Sequence, residues 1–162
     1  MALSQAQIAP IPGETHQMND PLPPTSRSLP IALMRAREGV MTPIRDMLSD
    51  TGLSEQQWRV LRVLAEQGAL DSKTLAGRTS LLFPSLTRMA AAMSKKGLIT
   101  QTRDPRDRRR QIIDITPAGA HIIKAYAQRA SDIVQEFKAV LGDRDYEKLL
   151  DLLGRLSPGE NG

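Results

Sequence analysis

Gly97 marks a change in the spacing of apolar residues along this chain. Before it, apolar residues recur at three- and four-residue steps, as they do on one face of a helix. After it, residues 98–103 and 110–115 form two short segments rich in Ile and Thr with a period of two. The residues between them, Asp104-Pro105-Arg106-Asp107-Arg108-Arg109, have the composition of a turn. The pattern predicts one β-hairpin that follows a set of helices.

Three short helices are predicted ahead of the hairpin from their start and stop residues. The first of the three begins at a capping box, in which Ser54 is followed three residues later by Gln57. Asp71 is expected to cap the next helix, and a further helix is expected from Pro84 to about Lys96. Three short helices and a hairpin with a basic tip are the components of a winged helix-turn-helix.

Longer helices are predicted on both sides of this lobe. A helix from Ser28 contains Pro43, which is expected to kink it because proline cannot donate to the carbonyl of Gly39. Thr116 caps a helix that continues to about Leu141, roughly 39 Å at 1.5 Å per residue. A homodimer would bury the apolar stripes of these helices and of the Leu-rich last helix. The alternative is a helical hairpin folded back on one chain.

The predicted fold class is therefore mainly α with a small β-hairpin wing. It is a winged helix-turn-helix with an N- and C-terminal helical dimerisation region. Five of the eleven prolines lie in residues 1–27, which predicts a disordered or extended arm, either a plain linker or a segment that contacts DNA or a partner. The remaining boundaries are a first dimerisation helix over 28–52, a DNA-binding lobe over 53–115, C-terminal dimerisation helices over 116–157 and a tail over 158–162.

Positive charge is concentrated on the last short helix and the hairpin. Residues 84–110 contain eight Lys or Arg and two Asp, a net charge of +6, whereas the whole chain carries +4. The rest of the chain is therefore slightly acidic. Such a concentration favours phosphate binding with release of counterions. A solvated basic surface is the alternative.

Several functional classes have no support in the sequence. The chain has no cysteine and only two, widely separated histidines, His16 and His121, so no thiolate or histidine-rich metal site is expected. No Gly-rich phosphate loop or nucleophile elbow is present, so we expect no catalytic site and no cofactor. The longest apolar run, Met89 to Met93, is far too short for a bilayer, which predicts a cytoplasmic protein without a membrane partner.

The helix from Pro84 is predicted to enter the major groove of double-stranded DNA. In a helix-turn-helix, the first residues of the recognition helix reach base edges. Ser85 and Thr87 can contact bases or phosphates, and Arg88 pairs best with guanine. For Ser85, simple stabilisation of the helix start is the alternative. The expected DNA-binding residues are Pro84, Ser85, Thr87, Arg88, Lys95, Arg103, Arg106, Asp107, Arg108 and Arg109.

The hairpin resembles the wing of the MarR family of regulators. The family pattern is Asp-x-Arg-Asp-x-Arg followed by Leu-Thr-x-x-Gly, and the turn 104–109 matches its first part at every position, with Ile115 in place of the usual Leu. The resemblance implies that Arg109 enters the minor groove, oriented by Asp107, while Arg106 and Arg108 contact phosphate. Asp104 could brace Arg106. For both aspartates, ordinary turn formation is the alternative.

Upstream segments resemble repressors of homoprotocatechuate (aromatic-acid) degradation operons within this family. They are Ile31-Ala32-Leu33, Ala36-Arg37-Glu38, Leu53-Ser54-Glu55-Gln56-Gln57-Trp58-Arg59 and Pro84-Ser85-Leu86-Thr87. The resemblance implies a dimeric repressor of an aromatic-compound catabolic operon, bound to a pseudo-palindromic operator and released by a small aromatic carboxylic acid. The alternatives are a related regulator of another stimulus, such as a phenol or lipophilic drug, and a winged-helix module that binds proteins instead of DNA.

Arg37 is the candidate for recognition of the effector carboxylate. It lies one turn from Leu33 and from Met41, in or beside an apolar stripe, and a buried arginine needs an anionic partner. That partner is either a ligand carboxylate or an intramolecular carboxylate such as Glu55; Glu38 is excluded because it does not share a helix face with Arg37. The resemblance places the pocket between the first, second and fifth helices, with ligand-binding residues Met34, Arg37, Met41, Trp58 and Arg62. For Trp58, plain core packing is the alternative.

Overall fold

The computed structural model describes residues 24–157, which contain six α-helices and a three-stranded antiparallel sheet. The chain divides into two compact units, one ending at Ala36 and the other beginning at Arg37. The elements are a 3-10 helix (Thr25–Arg27), α1 (Leu29–Leu48), α2 (Glu55–Gln67), β1 (Leu70–Asp71), α3 (Ser72–Arg78), α4 (Phe83–Lys95), β2 (Ile99–Arg103), β3 (Gln111–Ile115), α5 (Pro117–Leu141) and α6 (Asp143–Leu156). The predicted fold class, mainly helical with a small β-hairpin, is confirmed.

Most of the predicted N-terminal arm lies outside the described residues, as does the tail at 158–162. Where the arm is described, Thr25–Arg27 form one 3-10 turn, with the amide of Arg27 donating to the carbonyl of Pro24 at 2.7 Å. This turn differs from the extended chain expected there. The domain boundaries expected from the sequence stay predictions.

Helix starts lie where local capping chemistry places them. The amide of Gln57 donates to Ser54 Oγ at 3.2 Å, and the amide of Ser54 donates to Gln57 Oε1 at 3.0 Å, which completes the capping box of α2. Asp71 caps α3, and Thr116 Oγ1 accepts from the amide of Gly119 at the start of α5. These three starts were predicted because each depends on residues within one helical turn.

Other boundaries differ slightly from the prediction. α4 begins at Phe83, one residue earlier than expected, so Pro84 occupies the second helical position, where its missing N–H still leaves no intrahelical bond unmade. Each strand of the hairpin is one residue shorter than predicted. α1 continues through Pro43, and the kink expected there stays a prediction.

The sheet contains a short strand that the periodicity did not indicate. The strand order is β1-β3-β2, and Ile113 in the central strand pairs with Leu70 on one side and Gln101 on the other. Ile113 is buried, and it anchors the hairpin to the helices through the apolar core. The strand β3 is therefore paired on both of its edges, with β1 on one side and β2 on the other.

Two apolar clusters hold the unit that begins at Arg37. One joins α2, α3, α4 and the sheet, with Leu61, Leu75, Leu86 and Met93 fully buried. The other joins the end of α1 to α2 and α5 through Met47, Leu48, Trp58, Ala130 and Ile133. Because α2 contributes to both clusters, it connects the helices α3 and α4 to the long helix α5. Within the described part of the chain, no helix has the length and apolarity that crossing a membrane requires.

Candidate nucleic-acid interface and effector groove

α4 has one buried face and one exposed face. Leu86, Ala90 and Met93 pack into the core with almost no exposure. The exposed face contains most of the predicted DNA-binding residues of this helix, which are Pro84, Thr87, Arg88 and Lys95. Ser85 is half-buried, so it is less available than its neighbours. The helix therefore presents a basic and small-residue surface of the kind that fits a major groove.

The hairpin turn is shaped by its two aspartates. Asp104 Oδ1 accepts from the amide of Arg106 at 2.8 Å, and Asp107 Oδ1 accepts from the amide of Arg109 at 3.0 Å. Backbone bonds between Asp104 and Arg110, at 3.0 Å, and between Arg110 and Asp107, at 2.9 Å, close the turn. Carboxylates that bond a main-chain amide two residues on are the usual turn-forming use of Asp.

This geometry corrects the brace expected for the wing arginines. Asp107 does hold Arg109, but through its backbone amide and not its guanidinium, and the same applies to Asp104 and Arg106. The carboxylates satisfy nearby main-chain donors first, because these are fixed in place whereas long side chains are not. Across residues 24–157, no ion pair involves the guanidinium of Arg106, Arg108 or Arg109. All three are exposed and available to an external anion.

Arg103 has a structural contact of its own. Its Nη1 donates to the carbonyl of Arg108 at 2.9 Å, from one strand of the hairpin to the turn. The bond joins the end of β2 to the tip, so Arg103 restrains the position of the arginines that follow Asp107.

The turn end of the hairpin is tied to the start of α3 by an ion pair. Arg110 Nη2 lies 2.8 Å from Asp71 Oδ2, while Asp71 also accepts from the amides of Lys73 and Thr74, at 3.0 Å each, and from the Thr74 hydroxyl at 2.7 Å. The hydrogen bonds from Thr74, with a smaller contribution from Arg110, lower the pKa of Asp71 to about 2. One carboxylate thus caps α3 and holds the turn end of the hairpin.

A groove of about 520 Å³ runs between α2 and α5. Trp58 lies at one wall, with its ring edge-on to Tyr126 at 6.4 Å between centroids. The polar groups that face it are Arg62, Glu66 and Ser131. The lining residues are Trp58, Arg62, Ala65, Glu66, Ile123, Ala127, Ala130, Ser131 and Val134. Its size and its mostly apolar lining suit a small ligand with one polar end.

Two of the five predicted ligand residues line this groove. Trp58 belongs to the core as well, since only 5% of it is exposed, and Arg62 is exposed, without an ion pair in the part of the chain that is described. Arg37 and Met41 are not among its lining residues. Met34, which belongs to the other compact unit, is exposed.

Arg37 is engaged by carboxylates of its own chain. Its Nη2 lies 2.6 Å from Glu55 Oε1, and its Nη1 lies 3.3 Å from Glu38 Oε1. Arg45 completes a four-residue cluster, contacting Glu38 at 2.9 Å and Glu55 at 3.4 Å. The side chain of Arg37 is 53% exposed and Glu38 does contact it, so the expectations of a buried arginine and of no contact with Glu38 are both wrong. The guanidinium ends a long flexible side chain, and its reach is not limited to one helix face.

Comparisons with known proteins place this architecture in a family. The sequence profile of the MarR family matches residues 53–110, which span α2 to the hairpin turn. The HTH-type transcriptional regulator FarR of Neisseria gonorrhoeae is 34% identical over 134 residues, covering 83% of this chain and 92% of the relative. The chain belongs to the MarR family. The homoprotocatechuate degradative operon repressor of Escherichia coli is 32% identical over 126 residues, covering 78% of this chain and 85% of the relative.

A solved structure extends the likeness beyond the residues that the family profile matches. The crystal structure of NadR in complex with 4-hydroxyphenylacetate shares 33% identity with this chain at a TM-score of 0.74, covering 86% of this chain and 100% of that one. The winged-helix fold predicted from three short helices and a hairpin is therefore confirmed, and so is the family predicted from the turn 104–109. The homologues and the fold are those of transcriptional regulators, not of enzymes.

Sequence reasoning missed the pair formed by Asp71 and Arg110 in this MarR-family chain. The sequence predicts Asp71 only as a helix cap, and it identifies Arg110 only as one of eight positive charges. The two residues are 39 positions apart, and the strand β1 that brings them together is two residues long. The only signal was a complementary pair of charges within the predicted lobe, one at the start of a helix and one at the end of the hairpin turn.

Asp71→Asn is expected to lower the free energy of unfolding by about 1–2 kcal/mol near neutral pH. Asn can still cap α3, but it loses the charge that faces Arg110. Because the folded-state pKa of Asp71 is about 2, below its ordinary 3.8, the stabilisation exists above the ordinary value and is lost as the pH falls toward the folded one. Urea unfolding should therefore show a wild-type advantage near pH 7 that shrinks near pH 3. Asp46→Asn, on the exposed side of α1, is the matched control and should show no such change.

Proposed function

We propose that this MarR-family chain is a dimeric repressor that binds a pseudo-palindromic DNA operator and leaves it when a small aromatic carboxylate binds. The main observation in support is the concentration of positive charge, +6 over residues 84–110, on the exposed face of α4 and on the hairpin. The regulated genes are proposed to serve aromatic-compound catabolism, as the name of the Escherichia coli relative indicates for that protein.

The arginines of the hairpin turn are proposed to contact different parts of the DNA. Arg109 enters the minor groove, where the negative potential of a narrow groove attracts a guanidinium. Arg106 and Arg108 contact phosphates. Asp107 and Arg103 contribute through the shape of the turn, since both bond its backbone. The sequence-predicted residues of α4 that touch DNA are Pro84, Ser85, Thr87, Arg88 and Lys95.

The dimer is supported by apolar side chains that one chain leaves exposed. At the end of α5 and along α6, these are Val140, Leu141, Leu149, Leu150, Leu152 and Leu156, each at least 41% exposed. Leu29 and Leu33 of α1 are also exposed. So many large apolar side chains at the surface are typical of an interface. A two-fold dimer would present two α4 helices about 34 Å apart, one turn of DNA.

The effector is proposed to bind in the groove between α2 and α5. Its aromatic ring would contact Trp58 and the apolar lining, and its carboxylate would meet the guanidinium of Arg62. NadR, in the solved structure, holds 4-hydroxyphenylacetate, an aromatic acid of suitable size. Of the sequence-predicted cations, Arg62 is favoured over Arg37 because Arg37 already has two carboxylate partners. Met34 and Met41 are also proposed to contact the ligand, although neither residue lines the groove.

A neutral phenol or lipophilic compound is the second candidate effector. The observation in its favour is the lining itself, which is formed mostly by Ala65, Ile123, Ala127, Ala130 and Val134. Such a ligand would bind without help from Arg62, which separates the two candidates experimentally.

Operator binding should depend steeply on salt and on Arg109. With about 3 to 5 phosphate contacts per subunit, affinity is expected to fall by orders of magnitude between about 50 and 200 mM salt. Arg109→Ala should weaken binding by about 1–3 kcal/mol and leave the dimer intact. Fluorescence anisotropy with a duplex selected by the wild-type protein from a random library measures both effects, and light scattering gives the number of chains per duplex.

Lys124→Ala on α5 is the control for that experiment, because it removes an exposed cation outside residues 84–110. A flat salt dependence, or equal losses for Arg109→Ala and Lys124→Ala, would count against DNA binding through the wing.

A further inference from the structure

Two large apolar side chains are exposed at the start of α4. Leu82, which precedes the helix, is 77% exposed, and Phe83, its first residue, is 52% exposed. Phe83 is one of only two phenylalanines in the chain. A single exposed apolar residue is ordinary on a protein surface, so exposure alone does not indicate a function for Phe83. Its position on the helix does.

Phe83 heads a row of exposed residues with little polarity. Phe83, Thr87 and Ala91 are spaced by four and are all exposed, so they form one ridge along the helix. The Thr87 hydroxyl donates to the carbonyl of Phe83 at 3.0 Å, which engages its hydrogen within the helix. The ridge therefore presents an aromatic ring and methyl groups, while the neighbouring row contains the charged Arg88.

We propose that Phe83 recognises a thymine in each operator half-site by packing its ring against the 5-methyl group. This inference rests on the proposed function, since it assumes that α4 lies in the major groove. Residues in the first turn of a recognition helix reach base edges, and the thymine methyl is the one apolar group that a base pair presents in the major groove. The surrounding positive charge of residues 84–110 complements the phosphates on either side.

The ring suits a methyl group better than other parts of DNA. A phenylalanine ring has no donor or acceptor for a phosphate or for the polar edge of guanine, cytosine or adenine. Contact with a methyl group removes apolar surface of both partners from water and leaves no polar group of the protein unpaired. Ala91, further along the ridge, is small enough to let the helix approach the bases closely.

Replacement of thymine by deoxyuracil tests the proposal, because it removes only the methyl group. Each thymine of the duplex selected by the wild-type protein is replaced in turn, symmetrically in both half-sites. At the thymine that Phe83 contacts, the replacement in both half-sites should raise the dissociation constant of the wild type about fifteenfold. The loss of each buried methyl group weakens binding about fourfold, and the two losses multiply. Phe83→Ala should bind the thymine and uracil duplexes equally, with an affinity near that of the wild type on the uracil duplex.

Leu82→Ala is the matched control, since it truncates a neighbouring and even more exposed apolar residue that lies outside the helical ridge. It should keep the full thymine preference, and thermal melting should show that both variants fold. The proposal is overturned if no thymine shows a methyl effect, if Phe83→Ala keeps it, or if Leu82→Ala removes it. In each of these cases tight operator binding by the wild type would leave the proposed function standing, whereas failure of the wild type to select any duplex would overturn both.

Discussion

Gly119→Ala is expected to lower the free energy of unfolding by about 3 kcal/mol. A Cβ at Gly119 would collide with the carbonyl oxygen of Leu98, approach Ile115 Cγ1 to 2.9 Å and reach Leu61 Cδ2 at 3.2 Å. The Leu98 carbonyl cannot move aside, because it accepts the amide of Thr116 at 3.1 Å at the junction of the hairpin and α5. Either α5 shifts away from the core or the junction breaks.

Chemical denaturation of the purified protein measures the effect. Gly39→Ala is the matched control, since a Cβ there meets nothing within 4 Å on an exposed turn of α1. That substitution should stabilise the protein by about 0.5–1 kcal/mol, because alanine favours the helix. Equal stability of Gly119→Ala and the wild type would show that the start of α5 can shift to make room for a Cβ, and would contradict the prediction.

Arg62→Gln is expected to weaken binding of 4-hydroxyphenylacetate by about ten- to a hundredfold, the contribution of a charge-assisted contact to a carboxylate. Glutamine keeps a polar side chain of moderate length but has no charge for the ligand carboxylate. Isothermal titration with the wild type and the variant measures the change. The same titration with the neutral analogue 4-hydroxyphenylacetamide should show little difference between the two proteins.

Arg37→Gln is the informative comparison for that experiment. Arg37 is bonded to Glu55 at 2.6 Å, so its loss should lower stability without a comparable loss of ligand affinity. A large loss of affinity in Arg37→Gln with little change in Arg62→Gln would move the carboxylate site to Arg37. An unchanged affinity for both variants would favour the neutral effector.

The sequence predicted those parts of the fold that depend on neighbouring residues. The capping box at Ser54, the cap at Thr116 and the turn between the strands of the hairpin are decided within a few positions, and they formed as expected. The strand β1 was missed because two residues cannot show a period, and it exists only through pairing with β3, about 40 residues later.

The site was predicted less fully for a similar reason. The residue types of the wing and of α4 indicated DNA binding, yet the partners of individual side chains depend on the folded chain. Asp107 bonds a main-chain amide instead of a guanidinium, and Arg37 meets Glu55 from a helix that begins 18 residues later. Residue spacing does not predict either of these partners, because several carboxylates and donors lie within reach of such side chains in the folded chain.

Thr116 fixes the start of α5, so that the helix can tilt about that point. Its hydroxyl donates to the carbonyl of Gly97 at 2.6 Å and its amide donates to the carbonyl of Leu98, so the end of α4 and the start of α5 share one fixed point. α5 is a lever of roughly 37 Å, and the groove meets it near Ala130, about 20 Å from that point. A displacement of about 1 Å there tilts the lever by only about 3°, and the motion is largest at its distant end, beside α6. In the proposed dimer, a ligand in the groove would therefore change the angle between the two DNA-binding lobes and leave the recognition surface of each lobe undeformed.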